Sequence, residues 1–227
     1  PQCYNYNEID VTPYLTLGEN TFAVHTYYQG LINRVWVSAD RRQMLWFDLS
    51  VGGKTVAVSD RSWKCAEHSG YSAVRRIGHE VQFMECYDSR SPEKSFFTPD
   101  FDDSAWESAS VYENADYTLV RQTTEQIETY RLDPMITERR GNTLYLDFGR
   151  ETVGYLCARA NGKDGDELVL RYGEELNEDG SVRYDMRCNC LYEEQWILSG
   201  KRDTLSFFDY KAFRYAELIL PAGTTLG

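Results

Sequence analysis

The chain has 227 residues, and its 24 Lys and Arg against 36 Asp and Glu give a formal net charge of −12 at pH 7. That balance argues against nucleic acid or an anionic membrane as partner, since phosphate surfaces require a Lys/Arg-rich face. With 42% hydrophobic and 14% aromatic residues the chain can bury a core, which argues against wholesale disorder, and no apolar run of about 20 residues offers a transmembrane helix.

Taken in order, the segments alternate with a period of two almost everywhere. Phe22, Val24, Thr26 and Tyr28 alternate with Ala23, His25 and Tyr27, which predicts a strand. Leu45 to Val51 alternates too, Gly52-Gly53 supplies a two-residue turn, and Val56 and Val58 run back, which predicts a hairpin. Val81, Phe83, Glu85 and Tyr87 share one face of a further strand. Between Ser89 and Ser110 the pattern breaks into turn chemistry, with Pro92, Pro99 and the run Asp100-Phe101-Asp102-Asp103-Ser104.

A charged stretch without clear period places a domain junction near residues 112–125, dividing the chain into 1–115 and 116–227. Strands then resume at Leu144–Phe148, at Val153, Tyr155 and Cys157, and at Leu168–Tyr172, which the turn signals Asp164-Gly165 and Asp179-Gly180 flank. Tyr192, Glu194, Trp196 and Leu198 form another strand, Ser199-Gly200-Lys201 turns it, and Phe207 to Leu220 supplies at least one more. No stretch reads as an amphipathic helix of three turns. The expected fold is all-β, two consecutive antiparallel β-sandwiches of jelly-roll or galactose-binding-like type. The chain opens at Pro1 without a start Met or a signal peptide, which reads as a fragment whose first sandwich is truncated.

Six cysteines are scattered, and Cys188-Asn189-Cys190 is the only close pair. Cys65, Cys86 and Cys157 fall within strand patterns, where a buried free thiol is expected. Unpaired thiols lean towards a reducing, cytoplasmic compartment. His25, His68 and His79 are distant from the close pair, so no structural zinc is expected.

No glycine run begins a nucleotide-binding loop, and no serine sits in a G-x-S-x-G elbow. Carboxylates are plentiful, and paired carboxylates perform glycoside hydrolysis. Glu174-Glu175 on a strand would point to opposite faces, while Asp102-Asp103 stands where turn bonds are the ordinary work of Asp. The Asp cluster could offer oxygens to calcium but lacks the EF-hand pattern, so no cofactor is expected. Of the tryptophans, Trp46, Trp63 and Trp196 follow strand alternation into a core, and Trp36, after Asn33 and Arg34, is the candidate for an exposed platform.

One ordered series of segments is more specific than any single motif. "YNEIDVTPYLTLGENTFAVHTYYQG", "SDRSWK", "ECYDSR" and "TPDFDDSAWESA" resemble the N-terminal sandwich of bacterial α-L-rhamnosidases. "LDFGRETVGYL", "LRYGEELNEDGSVR" and "LSFFDYKAFRYAEL" resemble the sandwich that follows it. The resemblance implies an inverting glycoside hydrolase whose catalytic carboxylates sit on an (α/α)6 barrel C-terminal to these domains, so no catalytic residue carries over. It also implies a partner barrel in the same parent chain and a rhamnose-containing glycan as substrate.

On this reading the chain is a non-catalytic, substrate-positioning region; an autonomous binding module for rhamnose or galactose, or a purely structural sandwich, are its rivals. Tyr28, Arg34 and Trp36 are the expected sugar-facing or inter-domain patch, with Glu174 and Glu175 second. An apolar docking face left bare predicts a homodimer of the fragment.

Overall fold

The alternating segments become β-strands in a computed structural model that describes residues 2–28, 43–77, 82–113, 116–187 and 189–227. In chain order the strands are β1 (Gln2–Tyr6), β2 (Asp48–Val51), β3 (Lys54–Val58), β4 (Lys64–Cys65), β5 (Tyr71–Ile77), β6 (Gln82–Asp88), β7 (Glu107–Ser108), β8 (Tyr117–Arg121) and β9 (Ile136–Arg140). They continue with β10 (Thr143–Gly154), β11 (Arg159–Asn161), β12 (Asp164–Gly173), β13 (Asp185–Met186), β14 (Cys190–Leu191), β15 (Glu193–Ser199), β16 (Arg202–Thr204), β17 (Lys211–Ile219) and β18 (Thr225–Leu226). The described helical turns are two short 3₁₀ segments, Thr12–Tyr14 and Pro92–Ser95. The chain is all-β.

Two compact units follow contacts instead of chain order. The first gathers Pro1–His25, Met44–Glu67 and Ser95–Arg131; the second gathers Thr26–Gln43, His68–Lys94 and Leu132–Gly227.

In the first unit, β1 pairs with β8, β2 with β3 and β4 with β7. The β2–β3 turn places both central glycines at positive φ, 57° at Gly52 and 76° at Gly53, the backbone that matches strand twist in a two-residue hairpin. Aromatic contacts tie the pieces together: Phe47 lies 5.0 Å from Trp63 and 5.4 Å from Phe22, and Phe101 lies 5.3 Å from Trp106. Trp63 Nε1 also donates to the Val58 carbonyl at 3.0 Å. Phe22 to Tyr28 alternates as a strand should, yet it forms none. Among its contacts are Phe22 on Phe47 and His25 on Phe96.

The second unit is a seven-stranded sheet in the order β5-β6-β15-β12-β17-β10-β9, with a three-stranded sheet β16-β11-β18. The alternation of β12 puts Leu168, Leu170 and Tyr172 on one buried face, and register aligns Leu168 with Trp196 and Leu170 with Leu218. Ala160 of β11 is in the same cluster and Leu226 of β18 packs against it, so the small sheet closes over the apolar face. Among the described residues every buried apolar side chain belongs to this unit.

Several local expectations change. Two pairings, β1–β8 and β6–β15, are parallel; their members are distant in sequence, so no hairpin dictates antiparallel direction. Asp164-Gly165 lies inside β12 at a register shift, where Gly165 at φ 81° makes a bulge in place of a turn. Residues 155–158 leave β10 and form no strand. Cys65 and Cys157 are exposed while Cys86 is buried, and Trp46 is half exposed. Cys65 and Trp46 lie in and beside two-stranded ladders of the first unit, which bury little.

Candidate functional site

Arg34 and Trp36 lie outside the described residues. Tyr28 is half-buried and follows Tyr27, which packs on Phe208 at 4.5 Å and donates to Asp209 Oδ2 at 3.2 Å. Glu174 and Glu175 are exposed and stand past the end of β12, so the strand rule that would send them to opposite faces does not apply. Both occupy the base of a hairpin closed by Arg183 N–H to Glu175 O at 3.0 Å and Asn177 N–H to Ser181 O at 2.9 Å, turning at Asp179-Gly180. Glu175 then pairs with Arg183 at 2.6 Å. Partial burial first, and then the neighbouring Glu174 carboxylate, push Glu151 above the usual carboxyl range.

This hairpin is held to the sheet by residues from other segments. Arg140 Nη1 donates to the Gly180 carbonyl at 2.9 Å, and Glu217 Oε1 accepts the Val182 N–H at 3.3 Å. On the same face the Arg140 guanidinium lies 3.9 Å from the Tyr145 ring centre, and Tyr145 stacks on Tyr215. Asp147 accepts from Arg214 and from the Gly149 N–H, 2.6 Å away, and these bonds, Arg214 first, hold its carboxyl below the ordinary range. Among the described residues no group of three or more His, Cys, Asp or Glu is placed to hold a metal. Asp102 Oδ1 accepts the Ser104 N–H at 3.0 Å and Asp103 pairs with Lys64 at 3.1 Å, the turn work expected of them.

The densest chemistry lies inside the second unit. Glu85 on β6 and Glu194 on β15 are one step along the parallel register from the aligned pair Cys86 and Gln195, and both are buried. Lys211, from the start of β17, brings its ammonium 2.5 Å from Glu194 Oε1 and donates to the Asp209 carbonyl at 3.2 Å, over the rings of Tyr172 and Phe207. Glu85 Oε2 accepts the backbone N–H groups of Phe208 and Asp209, at 2.9 and 3.0 Å. Glu85 Oε1 and both Glu194 oxygens have no aligned hydrogen bond, so the Lys211 contact is an ion pair by distance alone. Burial pushes Glu85 up to about 7, with Glu194 adding to it and the two amides opposing. Burial also raises Glu194, against the pull of Lys211, and raises the Tyr172 hydroxyl strongly.

Sequence reasoning left these four residues out of any site, although the signal was present. Glu85 shares its predicted face with Phe83 and Tyr87, and Glu194 shares its face with Trp196 and Leu198. A carboxylate on an otherwise apolar face is either misplaced or paired inside.

Comparison with known proteins places these features. The α-L-rhamnosidase N-terminal domain family matches residues 2–131, and the bacterial α-L-rhamnosidase concanavalin-like domain family matches residues 137–221. An α-L-rhamnosidase of Streptomyces avermitilis is 26% identical over 94% of this chain, and one of Formosa agariphila is 24% identical over 92%. The chain spans only 21% and 23% of the length of those curated relatives. The structure of an α-L-rhamnosidase from Dictyoglumus thermophilum superposes with a TM-score of 0.60 at 28% identity, covering 75% of this chain and 19% of that one.

Proposed function

Given that this chain belongs to the α-L-rhamnosidase family, through its N-terminal and concanavalin-like domains, we propose that it is the non-catalytic β-sandwich region of a glycoside hydrolase acting on rhamnose-containing glycans. Its work is to hold and position a catalytic (α/α)6 barrel of the same parent chain, in which an inverting pair of carboxylates performs the hydrolysis. A barrel must present its substrate within fractions of an ångström, and rigid flanking sheets supply that constraint.

The observation that carries this reading is the match of the two families over most of the chain, within relatives of which the chain spans 21% and 23%. The chemistry agrees with it. The carboxylates most displaced from ordinary behaviour, Glu85 and Glu194, are sealed in a packed core and spent on Lys211 and backbone amides. They stand beyond the reach of a sugar. The exposed hairpin bearing Glu174 and Glu175 is braced from two strands, β9 and β17, and by its own Arg183–Glu175 pair, and offers a rigid edge on which a neighbouring domain can rest.

The test is to incubate the chain with a chromogenic rhamnoside and to titrate the labelled chain with L-rhamnose by NMR, with galactose as control. The expected result is no turnover and no localised shifts, with activity only in a longer protein that carries the barrel. Turnover by the chain alone would overturn the reading, and saturable shifts would replace it with a binding module.

A further inference from the structure

The buried cluster is unbalanced. Among the described residues two carboxyl groups, Glu85 and Glu194, face a single ammonium, Lys211. Among the same residues, the Tyr172 hydroxyl of β12 is directed at Glu194, and Tyr71 on β5 feels the Glu85 charge while its own hydroxyl meets Ser206 Oγ at 3.1 Å. Asp209 donates its backbone N–H to Glu85, and its carboxylate accepts from the Tyr27 hydroxyl. If both glutamates were ionised the core would hold one uncompensated negative charge, which a low-dielectric interior resists strongly.

The hydrogen-bond count reaches the same point from another side. Glu85 Oε2 takes two backbone amides, while Glu85 Oε1 and both Glu194 oxygens are buried without an aligned donor. Adjacent strands in register stand about 4.8 Å apart, and residues level with each other point to one face. A single proton on Glu85 Oε1 therefore supplies the missing donor and removes the excess charge together.

We propose that this proton is a structural component of the fold: Glu85 is a carboxylic acid at mildly acidic pH, donating from Oε1 to an ionised Glu194 that is held by Lys211. Folding then takes up one proton from solvent wherever the unfolded chain has lost it. With an ordinary value of 4.5 for the unfolded carboxyl and about 7 for the folded one, the contribution is complete below 4.5, is lost as pH rises towards 7, and levels off above. Over that window the folding constant falls by up to about tenfold per pH unit. The cluster makes the second unit sensitive to the pH range in which a neutral and an acidic compartment differ.

The test uses the full chain. Selectively ¹³C-labelled glutamate is followed by NMR from pH 4 to pH 9, alongside denaturant titrations of the wild type and Glu85→Gln. The expected spectrum retains one protonated carboxyl at pH 6 that titrates near neutrality and is missing from the variant. The expected titrations show the wild type losing up to about tenfold per pH unit relative to the variant between 4.5 and 7, and no further above. All glutamate carboxyls ionised at pH 6 in the folded wild type would overturn the proposal, whether or not the variant folds. So would a variant as dependent on pH as its parent.

Discussion

Asp147 and Arg214 meet fork to fork, Nε 2.9 Å from Oδ1 and Nη2 3.0 Å from Oδ2. They come from two of the segments that carry the family resemblance, "LDFGRE" and "KAFRYAEL", and Lys211 in the second of these reaches Tyr172 in a third, "LRYGEEL". The motifs thus mark braces within the second unit, one on each face of its main sheet.

The Asp147 brace is expected to set the acid limit of stability. Arg214, and after it the Gly149 amide, hold the carboxyl below its ordinary 3.8, so the stabilisation is present above 3.8 and is lost as pH falls through the folded value. Asp147→Asn removes that acid limb from a plot of denaturation midpoint against pH. The midpoint at pH 7 falls as well, since the neutral amide keeps one acceptor oxygen and loses the charge-assisted second bond to Arg214, worth about 1 kcal/mol. An acid limb identical to that of the wild type would show that Asp147 does not set it.

Gly149 is required by its backbone. It sits at φ 75°, within the irregular stretch between Asp147 and Thr152 where β10 shifts register on β17, and a Cβ there would meet Met135 Sδ at 2.0 Å. Gly149→Ala is expected to destabilise by about 1–2 kcal/mol from the left-handed backbone alone, and trimming Met135 relieves only the contact. Gly154, on the same strand with open space where a Cβ would go, accepts Ala with little change. Equal midpoints for the two variants would contradict this account.

Trp196 is fully buried and donates from Nε1 to Ser89 Oγ at 2.7 Å. Ser89→Ala leaves that indole N–H unsatisfied in the core and should cost about 1–3 kcal/mol. In a Trp196→Phe background the same substitution should cost far less, because the donor is gone. Additive effects in the double-mutant cycle would mean that the bond contributes nothing.

Period-two alternation located β12 and β15 because each buries one face, and β2 and β3, which are exposed, because the Gly52-Gly53 turn marks their hairpin. It failed at Phe22–Tyr28, where the residues alternate but form no strand, and it could not foresee the parallel β6–β15 pair, which depends on contacts distant in sequence. The same pairing hid the buried cluster. Glu85 and Glu194 each looked like an isolated polar residue on its own strand, and only the register sets them side by side with Lys211 between sheet and loop. Of the expected patch, Tyr28, Glu174 and Glu175 are placed by the structure.

The two units should differ in stability. Burial of apolar side chains among the described residues is confined to the second, whereas the first exposes Leu17, Ile127, Tyr14 and Ile9 almost fully and holds its ladders as separate pairs. Two-stranded ladders without a buried face are marginal in water, and local opening is easiest where buried contacts are fewest. Amide hydrogen exchange is therefore expected to be fast in β1–β4, β7 and β8 and slow in β12, β15 and β17, with the protected set losing its protons only on global unfolding of the second unit. Exposed apolar area of this kind also favours association, so the weight-average mass by light scattering should rise with concentration. Substituting Leu17 and Ile127 by Ser should lower that rise without altering protection in β12, β15 and β17. Uniform protection across both units would show that the first has a core of its own.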